Sequence, residues 1–231
     1  MCIRDSDDTD TIEHFKEVIV PAANEQNLKL AMVISKPMGY INLHQYLNIL
    51  ASHSSGEWLM FWNDDAIMKT KGWDTKIAEN TGEFKVLRMQ ENSQHPYAIF
   101  PIVPRDWYYL LGHLSDHQMT DAQISQIGYM CNIVKNIDVH CIHDRFDLTG
   151  NNNDTTYKNR PQLEGNPGNP QDLNSDETLN RRYAQCFKIM WYLRKIGQYN
   201  DHFEQSFGKG KNMWKYLVEN DPLDLTTQYN T

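Results

Sequence analysis

Trp58-Leu59-Met60-Phe61-Trp62-Asn63-Asp64-Asp65-Ala66 is the stretch on which the fold turns. Five large apolar residues, too few to cross a bilayer, run straight into two adjacent carboxylates. A short apolar run bounded by turn signals reads as a strand buried on both faces, the pattern of a parallel sheet covered by helices. Carboxylates are costly to bury without a partner or a metal. At the carboxyl end of such a strand they lie where open α/β sheets bind ligands. Gly56 marks the turn into the strand, and Lys71-Gly72-Trp73-Asp74 follows it. Asn63 and Asp64 also suit a simple turn cap, so the acidic end alone does not define a ligand site.

Outward from that strand, the chain alternates helical and extended patterns. Upstream, Thr11 to Val20 carries Ile12, Phe15 and Ile19 at helical spacing, with Pro21 soon after the end. Leu28 to Ser35 reads as a strand closed by Pro37 and Gly39, and Asn42 to His53 as an amphipathic helix. Downstream, Trp73 to Asn80 predicts a short helix and Phe84 to Met89 a strand. Tyr97 to Val103 is an apolar segment broken by prolines, and Asp106 to Leu111 a helix. Thr120 to Val134 predicts a longer helix begun by Thr120 or Asp121, and Ile137 to Ile142 a strand running into His143-Asp144-Arg145. Gly150 to Ser175, rich in Asn, Pro, Gly and Gln, reads as a loop or lid. Asp176 to Ile196 returns to a strong helix. The tail, with Phe203, Phe207, Trp214, Tyr216 and Leu217, is expected to pack back on the domain. Strand–helix–strand alternation implies a parallel sheet with right-handed crossovers.

Composition narrows the function. A net charge of -8 argues against a surface built for nucleic acid or anionic lipid, while leaving room for a local phosphate pocket. The four cysteines, Cys2, Cys131, Cys141 and Cys186, have no paired spacing and no CxxC, so they read as reduced thiols in a cytoplasmic protein. No apolar run approaches the roughly 18–20 residues of a transmembrane helix. Met1-Cys2-Ile3-Arg4-Asp5-Ser6 resembles translated sequencing-adapter read-through. Residues 1–6 are therefore expected to be foreign, with at least one strand–helix–strand unit missing upstream. Asp7 to Thr11 leads into its helix with no strand before it. Sequencing the locus upstream tests this, and a native stop codon just before Met1 would reject it.

Four groups of residues carry candidate chemistry. Asn63-Asp64-Asp65 offers oxygen ligands to a hard cation such as Mg²⁺ or Mn²⁺, one carboxylate holding the metal and its neighbour bonding a ribose or sugar hydroxyl. His140, His143 and Arg145 sit at a strand end, where an imidazole can complete a metal shell and a guanidinium neutralise phosphate. They also suit a polar strand end with satisfied histidines. Asp121 is placed for an N-cap or for a general base within reach of an acceptor hydroxyl. Trp107-Tyr108-Tyr109 offers core residues or a stacking platform for a sugar ring.

In this order the motifs resemble the middle of a family 2-like glycosyltransferase of GT-A fold. There a strand after an "A.GE" lead-in ends in a DXD-type acidic motif followed by a Trp-bearing helix. Ala51 and Gly56-Glu57 match the lead-in with Ser52 to Ser55 lengthening it, Asn63-Asp64-Asp65 the motif, and Gly72-Trp73-Asp74 the helix. The resemblance implies a Rossmann-like, mostly parallel sheet flanked by helices. It covers Asp7 to Asn153 as a partial domain lacking its first strand, with 154–175 as a lid and 176–231 as a helical extension. It implies Asp65 and His143 as metal ligands, with His140 as the alternate. Asp8, Asn63, Asp64 and Arg145 become donor contacts, Asp121 the catalytic base, and Trp107 and Tyr108 acceptor contacts. The expected activity is inverting transfer of a sugar from a nucleotide-diphosphate donor to a glycan or other acceptor hydroxyl, with Mn²⁺ or Mg²⁺. Two rival classes stay open: a non-catalytic nucleotide-sugar or carbohydrate-binding module, and a metal-dependent phosphoesterase using Asp64, Asp65, His140, His143 and Asn152.

Overall fold

A computed structural model describes residues 2–5, 9–93, 95–144, 173 and 175–198. The tail aromatics, the proposed lid apart from Leu173 and Ser175, Asp8, Arg145 and Asn152 lie outside the described residues. Strand β1 (Cys2–Asp5) is followed by α1 (Thr9–His14), a π-helical turn (Phe15–Ile19) and α2 (Val20–Glu25). Then come β2 (Met32–Ser35), α3 (Leu43–His53), β3 (Trp58–Met60), β4 (Ala66–Met68) and α4 (Trp73–Ala78). The second half runs β5 (Val86–Glu91), β6 (Ile102–Pro104), α5 (Arg105–Leu111), α6 (Thr120–Met130), β7 (Val134–His143) and α7 (Asp176–Lys195).

The class is α/β, a sheet flanked by helices, as expected. The sheet itself is mixed rather than mostly parallel. Its order is β3-β6-β5-β7-β4, with β5 and β7 parallel and the other neighbours antiparallel. The strand buried on both faces is β5, not the opening apolar run. Val86 joins one core cluster with Phe84, Trp107, Ile124 and Ile127, while Leu87 and Met89 join the other with Ile137, Val139 and Ile77. The run from Trp58 instead makes a three-residue edge strand, with Leu59 buried and Trp58 and Met60 only half-buried. Helices α3, α5, α6 and α7 cover the first cluster, and α4 covers the second.

Gly128 sets how closely α6 approaches the sheet. A Cβ there would lie 2.8 Å from Val134 Cγ2 and 3.1 Å from Val86 Cγ2. Along α7, Leu179, Arg182, Cys186, Ile189 and Leu193 are buried at alternating three- and four-residue spacing, the stripe of a helix facing a core. Ser175 caps this helix by accepting from Thr178 N at 3.2 Å. Cys131, Cys141 and Cys186 are free and buried, as reduced thiols require.

The N-terminal region departs from expectation. Cys2–Asp5 forms a strand parallel to β2, so the first helix does have a strand before it. The helical stretch also continues through Pro21 to Glu25. A π-helical turn precedes the proline, with Val20 N–H bonding Phe15 O, and the widened turn accommodates a residue that cannot donate. β2 is shorter than its apolar pattern, beginning at Met32 because Leu28 and Leu30 are exposed.

Candidate functional site

The carboxyl end of β3 reaches its neighbours through a tight turn. Ala66 N donates to Asn63 O at 3.4 Å, and Ala66 then opens β4. This strand pairs antiparallel with β7, Ala66 opposite His143, and Asp144 N donates to Asp65 O at 2.7 Å. The ladder thereby brings together two residues 78 apart in sequence: Asp65 Oδ2 lies 3.2 Å from His143 Nε2. The Asp65 side chain is 31% exposed and that of His143 5% exposed. Asp64, on the turn, is exposed, and Asn63 is half-buried.

His143 is held from several sides. Its ring meets Phe100 edge-on at 4.9 Å, and Phe100 lies 4.9 Å from Trp62, so the apolar run that ends in the acidic turn also walls the imidazole. Asn92 holds the backbone: its Oδ1 accepts from His143 N at 2.8 Å and its Nδ2 donates to His143 O at 3.2 Å. As β5 turns away after Glu91, this amide takes the place of the next ladder rung. Asn92 was missed in the sequence because an Asn after a strand reads as a turn residue. The other ring nitrogen of His143, Nδ1, is buried with no hydrogen-bond partner among the described residues.

His140 does not belong to this group. Side chains alternate along β7, so His140 lies on the opposite face, exposed, with Nε2 3.2 Å from Asp138 Oδ1. Asp138 also pairs with Lys76 at 2.6 Å, and this lysine and the histidine hold its carboxyl below the usual range.

Asp121 opens α6, half-buried in its first turn. The same loop that begins at Asn92 passes this helix. Ala98 N donates to Ser125 Oγ at 2.9 Å, and Gln126 Nε2 to the Tyr97 hydroxyl at 3.1 Å. Arg88 anchors the loop from β5, donating to Pro96 O at 3.0 Å and to the Tyr129 hydroxyl at 2.7 Å. Burial pushes the Tyr97 phenol up, and the carboxylate of Asp121 adds to that push.

The expected acceptor contacts are corrected. Trp107 is 0% exposed, with its Nε1 donating to Leu114 O at 3.1 Å, so the indole is a core side chain with no face open to a sugar. Tyr108 packs against the same core. The segment reads as a platform because three aromatics fall in a row, yet helical geometry exposes only Tyr109, at 66%. α5 also begins beside Trp58, at the opposite end of β3 from the acidic turn, because Pro104 pairs with Trp58.

Asp65 and His143 supply an oxygen and a nitrogen of the kinds that Mn²⁺ and Mg²⁺ accept, leaving further positions for phosphate and water. The donor set fits. In the present contact, the proton between the pair lies on Nε2 if His143 is neutral. Metal ligation requires the other tautomer, with the proton moved to Nδ1. Among the described residues no group of three or more His, Cys, Asp or Glu side chains is arranged to hold a metal.

No protein-family model matches the chain, and no curated protein does. Among solved structures it is similar to the mannosyltransferase PcManGT from Pyrobaculum calidifontis in complex with GDP-Man and Mn²⁺. That likeness has 11% identity and a TM-score of 0.48, over 90% of this chain and 67% of the other. No described helix is long and apolar enough to cross a membrane.

Proposed function

We propose that this chain is a metal-dependent glycosyltransferase that moves a sugar from a nucleotide diphosphate to an acceptor hydroxyl with inversion. The observation that carries the reading is the convergence of Asp65 and His143 where β3, β4 and β7 meet. Asp65 and His143 would hold Mn²⁺ or Mg²⁺, which when bound neutralises charge on the departing diphosphate. Asn63 and Asp64, on the turn before Asp65, are the hydrogen-bonding groups for the donor's ribose or sugar. Asp8 and Arg145 are assigned to the nucleotide base and the diphosphate by resemblance alone. Asp121 takes the proton of the acceptor hydroxyl as its oxygen forms a bond to the anomeric carbon. The bond from that carbon to the diphosphate oxygen breaks on the opposite face.

Asp65→Ala is the direct test, read by thermal shift with UDP-, GDP- and dTDP-sugars with and without Mn²⁺. The wild-type chain is expected to gain a Mn²⁺-dependent shift with one donor, and the variant to lose it while keeping its Tm without ligand. An equal shift in both proteins would remove the centre of the proposal. A two-residue protein donor set is also compatible with a nucleotide-sugar-binding module that does no chemistry. Metal-dependent binding without hydrolysis or transfer selects that reading.

A further inference from the structure

Helix α7 carries a second stripe opposite its buried one. Glu177, Asn180, Ala184, Phe187, Trp191 and Arg194 are all exposed, spaced alternately three and four residues apart. That spacing keeps one face of a helix along a partner helix. The outward face of a surface helix is ordinarily polar, yet Phe187 is 56% and Trp191 54% exposed. One turn apart, they make a contiguous apolar patch, and such patches mark contact surfaces where scattered single residues do not. Acids in the first turn, Asp176 and Glu177, and bases in the last, Arg194 and Lys195, suit the helix's own dipole. The dipole explains the two ends but not the aromatics between them.

The stripe is complementary to itself when turned end for end. About a two-fold axis passing between positions 185 and 186 of α7, Ala184 faces the partner's Phe187 and Asn180 the partner's Trp191. Glu177 then faces the partner's Arg194, and Asp176 the partner's Lys195. Small side chains meet large ones near the axis, carboxylates meet cations at the ends, and symmetry makes every contact twice. A parallel pairing would instead set acids against acids and bases against bases. The existing contacts leave this pairing open. Glu177 accepts from Arg181 at 2.8 Å with its side chain 72% exposed, and a carboxylate in so exposed a pair has lone pairs to spare for a second cation. Lys195 Nζ lies 3.8 Å from the centroid of the Trp191 ring, so a cation already sits on the indole that the partner would cover.

We propose that α7 is a self-association surface, through which two copies of this chain pair as an isologous, antiparallel helix dimer. The inference stands on α7 alone and is independent of the glycosyltransferase reading. Twenty residues of helix span about 30 Å. One helix face of that length is small for a permanent interface, so the pairing is reversible and depends on concentration.

Sedimentation velocity of the full chain over a range of concentrations tests this. Wild type is expected to shift reversibly from monomer to dimer. Trp191→Ala and Ala184→Arg, both at exposed positions, should each weaken dimerisation at least about tenfold, because a few central anchors and what they pack against carry most of an interface's affinity. Their Tm at low concentration should stay near that of wild type. Charge exchange is the sharper arm. Asp176→Lys/Glu177→Lys puts cations at both ends of the stripe, and Arg194→Glu/Lys195→Glu puts carboxylates at both. Each variant alone should be monomeric, and an equimolar mixture should restore the dimer, which also shows that both fold. If either fails to fold, Trp191→Ala and Ala184→Arg carry the comparison. A wild-type chain that is monomeric at every concentration would overturn the proposal. A dimer that survives in each charge variant alone would place the interface on another face, and folded variants that do not pair when mixed would reject the antiparallel register. A monomer whose Trp191 is protected from hydroxyl-radical footprinting would show the stripe covered by another part of the same chain.

Discussion

Asn92→Ala separates the scaffold of the site from its chemistry. The side chain makes two hydrogen bonds to the backbone of His143, at 2.8 and 3.2 Å, and touches neither Asp65 nor any proposed substrate atom in doing so. Each such bond contributes about 0.5–1.5 kcal/mol net. Removing both therefore costs about 1–3 kcal/mol, at the upper end if the freed amide stays dry. For a chain of this size 1 kcal/mol moves Tm by about 2–4 °C, so a loss of about 4–8 °C is expected at the midpoint of that range. The protein should remain folded, because ordinary domains are stable by about 5–15 kcal/mol. Function should fall further than stability. With its backbone untethered, His143 loses its register against Asp65, and loss of groups that orient a ligand typically weakens metal binding about 10–100-fold. Urea denaturation and Mn²⁺ titration in the presence of the responding nucleotide sugar measure the two effects. A variant that is less stable yet binds metal and donor like wild type would refute the role given to Asn92 in holding His143 against Asp65.

Gly128→Ala should destabilise the fold despite a better helix residue: the propensity gain is about 1 kcal/mol, whereas overpacking against Val134 and Val86 costs about 1–3 kcal/mol at a Cβ distance of 2.8 Å. A urea midpoint above wild type would refute this. Stability should also fall on mild acidification. Burial, the largest cause, holds the pKa values of His44 and His113 below the ordinary 6.5, with Asp116 opposing. The unfolded chain then takes up protons first, so the contribution is intact above about pH 6.5 and lost as pH drops below it. Urea midpoints at pH 7.5 and 5.5 should differ less in His44→Gln/His113→Gln than in wild type, and an equal difference would sink the assignment.

How much of this was legible in the sequence depends on how local each cause is. Helices α3, α4, α5 and α7 fall close to where the sequence places them because helical spacing of apolar residues is written within a few residues, although α7 buries a different face from the one its aromatics suggest. The pairing of Asp65 with His143 was legible only as an order of motifs. It became geometry through the β4–β7 ladder, whose first strand has three residues and no pattern of its own. Strand direction was not legible at all: Trp58 to Met60 is as apolar as a buried parallel strand, yet it lies at the sheet edge and its partner β6 is antiparallel. Trp107 misled because consecutive aromatics look like a surface, while a helix turns each to a different side. Arg182 shows the converse case. It shares the buried stripe of α7 with Leu179, Cys186, Ile189 and Leu193, whereas the large apolar residues Phe187 and Trp191 of the same helix are exposed, and a charge on a core-facing stripe is a conflict between local chemistry and global packing. Such conflicts mark functional or strained sites more often than ordinary cores. The acidic turn at Asn63-Asp64-Asp65 and the guanidinium of Arg182 are two such conflicts of opposite sign, one at a sheet end and one inside a helical layer. Asn92 bonds β7 at His143, while Tyr97 and Ala98 bond α6 at Gln126 and Ser125, so Asn92→Ala should disturb His143 first and the packing against α6 after it.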